Sequence, residues 1–96
     1  MTVSVVVPTR DRPESLARCL RALAGQELGE LEIVVVDDGS RDRGTVEAVV
    51  ARTSRARVIR LPGRGPAAAR NVGARAAEGR VVCFTDDDCE ADPGWA

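Results

Sequence analysis

Ile33-Val34-Val35-Val36-Asp37-Asp38-Gly39-Ser40 is a β-branched apolar run that stops in turn chemistry. A run without polar alternation marks a strand covered on both faces, as in a parallel sheet. The aspartates break it and Gly39 supplies the turn. Working upstream, Leu16, Cys19, Leu20 and Leu23 recur at i, i+3, i+4 and i+7, one stripe of an amphipathic helix. Pro13 suits its first position, Glu14 the positive end of its dipole and Gly25 its exit. Before it, Val3 to Val7 is another doubly covered strand, which Pro8 is expected to end. Working downstream, a helix is predicted from about Asp42 to Thr53 with Val46, Val49 and Val50 inward. A strand over Val58-Ile59-Arg60-Leu61 follows, bounded by Pro62-Gly63. Gly65-Pro66 opens an Ala-rich helix reaching about Ala77, whose small residues allow a close approach to the sheet, and Gly79 closes it. Val81-Val82-Cys83-Phe84 is a fourth strand delivering Thr85-Asp86-Asp87-Asp88. The order is βαβαβαβ with short connections, and right-handed crossovers make this an open, mainly parallel α/β sheet in one domain over residues 1–96.

Composition narrows the chemistry. Hydrophobic residues at 44% and charged residues at 30% fit a globular domain, with a core of Val, Leu, Ile and Ala because only one Trp and one Phe exist. All 14 basic residues are Arg, and His is absent. That removes a phosphate-loop lysine, a Schiff-base lysine and any imidazole base. A net charge of −1 with dispersed arginines leaves no basic block for nucleic acid or an anionic membrane. Cys19, Cys83 and Cys89 are odd in number and never spaced C-x-x-C, which argues against a disulfide framework and points to a reducing cytoplasm. Cys19 and Cys83 are expected to be buried small hydrophobes. No apolar run approaches the ~20 residues of a transmembrane helix, and no signal peptide is expected.

In open parallel sheets ligands bind outside the carboxyl ends of the strands. Thr9-Arg10-Asp11-Arg12, Asp37-Asp38-Gly39-Ser40, Gly63-Arg64-Gly65 and Asp86-Asp87-Asp88 all follow strands, so one edge should collect them. Three adjacent carboxylates repel, and a hard divalent cation relieves that repulsion. In extended backbone Asp86 and Asp88 point one way and Asp87 the other, so a D-x-D pair could share a Mg²⁺ or Mn²⁺ face with phosphate oxygens. Asp37-Asp38-Gly39-Ser40 reads either as a β-turn or as a carboxylate that accepts from a base N–H or a ribose hydroxyl. Arg70 reads either as solvent-facing or as aimed at an anion near the positive end of the third helix.

Taken together the segments resemble the family 2 glycosyltransferases of GT-A fold. The resemblance rests on Val5-Val6-Val7-Pro8-Thr9 with Arg12-Pro13, Val35 to Ser40, Gly65-Pro66-Ala67-Ala68-Ala69-Arg70-Asn71-Val72-Gly73, and Phe84 to Asp88 with Asp92-Pro93-Gly94-Trp95. It implies the Rossmann-like, nucleotide-sugar-binding half of that fold. It further implies transfer of a sugar from a nucleoside diphosphate sugar to an acceptor hydroxyl, with inversion and with Mg²⁺ or Mn²⁺. By this match Pro8, Thr9, Arg12, Asp37, Asp38, Arg70, Asp86 and Asp87 would hold the donor, and Asp86 and Asp88 the metal. Because Asp87 is acidic too, the register of the metal pair is open by one residue. The acceptor, the sugar, the base and the oligomeric state are not legible in the chain.

The resemblance places the general base in an acceptor-binding half, beyond Ala96. Glu90 and Asp92 are the only acids after the motif. The domain is therefore expected to be incomplete, to bind nucleoside diphosphate weakly and to turn over nothing alone; a truncated, non-catalytic nucleotide-binding module is the alternative. A full-length form could be membrane-peripheral. A dinucleotide-binding Rossmann domain is excluded because Pro8 to Pro13 lacks glycine. Phosphotransferases of haloacid-dehalogenase type and receiver domains are disfavoured by the missing lysine.

Overall fold

The computed structural model describes residues 2–25 and 30–87. The element order is β1 (Thr2–Thr9), α1 (Pro13–Ala24), β2 (Glu30–Asp38), α2 (Arg43–Ala51), β3 (Ala56–Leu61), α3 (Pro66–Ala76) and β4 (Val81–Phe84). All strand pairs are parallel and the sheet order is β3-β2-β1-β4. The open parallel α/β fold expected from the alternation is the fold observed.

The topology follows from handedness. The connections through α1 and α2 each step one strand in the same direction, while α3 carries the chain back across the sheet to the far side of β1. Right-handed crossovers running in opposite directions place their helices on opposite faces. One face accordingly buries Val3, Val5, Val7, Ile33 and Val35 with Leu16, Cys19, Leu20, Leu23, Val46 and Val50. The other buries Val6, Val34 and Val36 with Ala69. Each fully buried leucine of α1 contributes about 1.5–3 kcal/mol by leaving water. The α3 face is thin by contrast, because a Cβ added at Gly73 would lie 2.3 Å from Val6 Cγ1. Only glycine admits that approach of helix to sheet.

Four details depart from the expectations above. Pro8 does not end β1, which runs on to Thr9 with Pro8 opposite Val36. The Val6 carbonyl accepts from the Thr85 amide, so by strand alternation the missing donor of Pro8 faces the β4 side. There β4 has already ended, its last paired residue, Phe84, lying opposite Val6, and no ladder bond is lost. β2 likewise carries Asp37 and Asp38 within the strand, and the turn begins at Gly39, whose φ is 87°. Gly79 is not a helix stop: its amide donates to the buried Ser4 Oγ at 2.8 Å, and the contact is too close for a side chain. Cys19 is buried as expected, Cys83 only half-buried, since β4 is an edge strand that also leaves Val81 and Phe84 exposed. Among the described residues no helix is long and apolar enough to cross a membrane.

Candidate functional site

The sheet order reverses between β1 and β4, and the carboxyl side of such a switch point is where open α/β sheets bind ligands. A cavity of about 420 Å³ opens at this point, lined by Pro8, Thr9, Arg10, Arg12, Asp38, Gly65, Pro66, Ala69, Arg70, Asp86 and Asp87. It thus collects the ends of β1, β2 and β4 and the first turn of α3.

Alternation along β2 decides what its two aspartates do. Asp38 lies on the α3 side and reaches the cavity, with Oδ1 accepting from the Arg64 amide at 2.7 Å and Oδ2 from the Gly65 amide at 2.8 Å. These charge-assisted bonds pin the loop that starts α3. Gly65 holds φ 96° and ψ 165°, a backbone open essentially to glycine alone, and turns the chain into Pro66 at the first helical position. Asp37 lies on the other side and is 1% exposed. Its Oδ2 accepts from Arg60 Nη1 at 2.9 Å and its Oδ1 from the Ser40 amide at 3.0 Å. Arg60 in turn reaches Glu47 of α2. Asp37 therefore lines a separate hollow with Gly39, Ser40, Arg43, Arg60, Leu61 and Pro62, apart from the main cavity.

The acidic cluster at the end of β4 divides in the same manner. Asp87 is buried, its Oδ2 accepting from the Thr9 hydroxyl at 2.8 Å while Oδ1 lies 3.5 Å from Arg12 Nη1. Asp86 is exposed at the cavity rim, and its backbone carbonyl faces the Cys19 thiol at 3.6 Å. Asp88, the second expected metal ligand, lies outside the described residues, as do Cys89, Glu90, Asp92 and Trp95. Among the described residues no three His, Cys, Asp or Glu side chains gather as a ready-made cation site.

Of the residues expected at the donor site, Pro8, Thr9, Arg12, Asp38, Arg70, Asp86 and Asp87 meet at this cavity and Asp37 does not. Arg10 and Ala69 also line it and were not singled out from sequence. Their signal was positional: Arg10 directly follows the strand-end Thr9, and Ala69 precedes Arg70 on the helix face turned to the sheet. The Arg60–Asp37 pair was missed too, although the two residues stand directly opposite in the β2–β3 register. Arg10, Arg12 and Arg70 line the cavity together with Asp38 and Asp86, and the positive end of α3 adds to the arginines. A ligand carrying negative charge, polar hydroxyls and a bound cation matches this mixture.

The sequence model of the family described as Glycosyl transferase family 2 matches residues 4–96. The chain is 36% identical over 88 residues to the uncharacterized glycosyltransferase EpsJ of Bacillus subtilis, covering 90% of this chain and 26% of that one. Among solved structures it resembles S. aureus TarS in complex with UDP-GlcNAc, with a TM-score of 0.78 and 37% identity, covering 92% of this chain and 27% of the other. It also resembles the mannosyltransferase PcManGT of Pyrobaculum calidifontis, in complex with GDP-Man and Mn²⁺, with a TM-score of 0.80 and 30% identity over 90% of this chain and 27% of the other. The chain spans about a quarter of the length of these relatives.

Proposed function

The chain belongs to glycosyl transferase family 2, and we propose that it forms the donor-binding half of a metal-dependent, inverting transferase that moves a sugar from a nucleoside diphosphate to an acceptor hydroxyl. The observation that carries the reading is the cavity at the β1/β4 switch point, where Thr9, Arg12, Asp38, Arg70 and Asp86 converge from four segments far apart in sequence. The likeness to one structure holding UDP-GlcNAc and another holding GDP-Man with Mn²⁺ supports it.

In this reading Asp38 and Thr9 face the nucleoside. A carboxylate has about four acceptor positions; Asp38 gives one on each oxygen to the Arg64 and Gly65 amides and keeps capacity for a base N–H or ribose hydroxyl. Arg70 and Arg12 lie along the diphosphate. Asp37 serves the site from behind, as an anchor of the β2–α2 loop. The donor set at the β4 end is carboxylate oxygen with no histidine in the chain, which fits a hard cation such as Mg²⁺ or Mn²⁺. Asp87 already gives its oxygens to Thr9 and Arg12, whereas no hydrogen-bond or ion-pair partner of the Asp86 carboxylate occurs among the described residues. We therefore assign the metal pair to Asp86 and Asp88, with Asp87 as the brace between them. When bound, such a cation neutralises charge developing on the leaving diphosphate. The acceptor hydroxyl needs a general base, which we place beyond Ala96, and Cys19 and Cys83, thiols in this structure, suit a cytoplasmic protein.

Because the chain spans about a quarter of its relatives' length, residues 1–96 alone are expected to bind donor without transferring sugar. Titration calorimetry with UDP and with GDP, with and without Mn²⁺, tests the reading in wild type and in Asp86→Asn. Expected are binding of one of the two nucleotides, strengthened by Mn²⁺, and loss of that strengthening in the variant. No binding of either nucleotide under any condition would sink the reading.

A further inference from the structure

Asp11 does not line the donor cavity, yet it joins the β1–α1 loop, whose Arg10 and Arg12 do, to the β2–α2 loop, which lines the separate hollow. It is one of two non-glycine residues with positive φ among those described, at 54°. In that left-handed conformation its backbone and side chain point the same way, toward the β2–α2 loop. The Asp11 amide donates to Ser40 Oγ at 2.9 Å, and Asp11 Oδ1 accepts from the Arg41 amide at 2.8 Å. The contact is thus a two-way clasp between residues about 30 apart in sequence. Its far end is fixed, because the Ser40 amide is held by buried Asp37 and Asp37 by Arg60. Its near end sits between Arg10 and Arg12, both of which line the cavity. On the other flank the same loop is gripped by Asp87, through Thr9 and Arg12.

We infer that Asp11 is a positioning residue for donor binding: its clasp on Ser40 and Arg41 holds the β1–α1 loop so that Arg10 and Arg12 stay at the cavity wall. The inference rests on the cavity being the nucleotide site and adds a role to a residue that touches no ligand. Asp87 alone would hold only Thr9 and Arg12, the two ends of the loop, leaving Arg10 and the Asp11 backbone between them with no tie to the β2–α2 loop. The side-chain oxygen at Oδ1 is what the clasp needs, not the charge, and an asparagine supplies an equivalent oxygen and tolerates left-handed backbone. Glycine tolerates the backbone but supplies no acceptor.

The test compares Asp11→Asn and Asp11→Gly with wild type in the full chain, reading thermal stability, nucleoside diphosphate affinity with Mn²⁺, and amide exchange at Arg10 to Arg12 and Arg41. Asp11→Asn is expected to bind within two-fold of wild type, a span that the loss of a clasp bond would exceed. Asp11→Gly is expected to keep its Tm, because relief of the left-handed backbone offsets the lost bond, while binding about five-fold more weakly, the loop then standing at the cavity wall about one-fifth of the time, with faster exchange at Arg41 and along the loop. A merely structural role would instead lower Tm and affinity together. Equal affinity and unchanged exchange in Asp11→Gly would overturn the inference, as would an Asp11→Asn as weak as Asp11→Gly. If wild type binds no nucleotide, the functional reading fails, and exchange alone then decides the clasp: protection of the loop and Arg41 unchanged in Asp11→Gly refutes it.

Discussion

The two faces of the sheet are built to different thicknesses, and their tasks differ with it. On the α1/α2 face, Leu16, Leu20, Leu23 and Val46 stack on Val3, Val5, Val7, Ile33 and Val35 in a deep aliphatic layer. On the α3 face, Val6, Val34 and Val36 meet Ala69 and Gly73 at close range. The thick layer holds the larger set of buried apolar side chains and meets the cavity through the strands and through Cys19, whose thiol faces the Asp86 carbonyl. The thin layer brings the first turn of α3, with Gly65, Ala69 and Arg70, down to the cavity wall. Folding stability is concentrated on one face and ligand geometry on the other.

Truncating the thick layer should separate the two most strongly. Leu20→Ala, at a side chain 1% exposed, is expected to destabilise by about 3 kcal/mol, within the usual range for a buried leucine. Nucleotide affinity measured well below Tm should stay within two-fold, a change smaller than one hydrogen bond. A parallel collapse of affinity would show that the two faces are not separable. Asp38→Ala comes next and should lower stability and affinity together. It orphans the Arg64 and Gly65 amides, costs about 2 kcal/mol, and is expected to weaken donor binding at least ten-fold, which calorimetry beside a melting curve would read. Gly73→Ala follows, with a Cβ forced against Val6. Overpacking of this kind costs about 1–3 kcal/mol, and by lifting α3 it should lower affinity as well, unlike Leu20→Ala. Equal affinity in Gly73→Ala and wild type would remove α3 proximity from the account of the site.

The same contrast explains what the sequence disclosed. Elements and order were readable because the patterns are one-dimensional: the leucine stripe of α1, the valine runs of β1 and β2, and the Pro and Gly punctuation. The meeting of Thr9, Asp38 and Asp86 followed from the strand-end rule, whereas Arg70, inside a helix and open between solvent and an anion on its own residues, was expected there only by the family resemblance. The division of adjacent acids was harder to see. Asp37 and Asp38 are chemically identical, and only the continuation of β2 through both, with alternate residues facing opposite sides, sends one to Arg60 and the other to the cavity. Taking the strand to stop at Val36 concealed that. Asp87 was equally ambiguous until its partners Thr9 and Arg12, some 78 and 75 residues away in sequence, were in view. Cross-strand partners depend on sheet order, and the order β3-β2-β1-β4 is not written in any local pattern.

The smallest expected effect lies on the thick face, at the start of α2. Asp42 caps this helix, with Oδ1 accepting from the Thr45 amide at 3.1 Å and Oδ2 from the Thr45 hydroxyl at 2.6 Å. The Thr45 hydroxyl first and the Thr45 amide second favour the ionised form, and hold the Asp42 carboxyl below its ordinary 3.8. A carboxyl with a depressed folded pKa stabilises the fold above its unfolded pKa, and that stabilisation is lost as pH falls through the folded value. Asp42→Ala should therefore lower Tm slightly at neutral pH, as loss of an N-cap does. The gap to wild type should stay constant down to about pH 5 and close only below the ordinary carboxyl value. Melting curves of both proteins from neutral pH to about pH 3 read this directly, while donor affinity at neutral pH should not change. A gap that persists undiminished at the acid end would mean that the protonated side chain caps as well as the carboxylate. The charge would then have no part in holding α2.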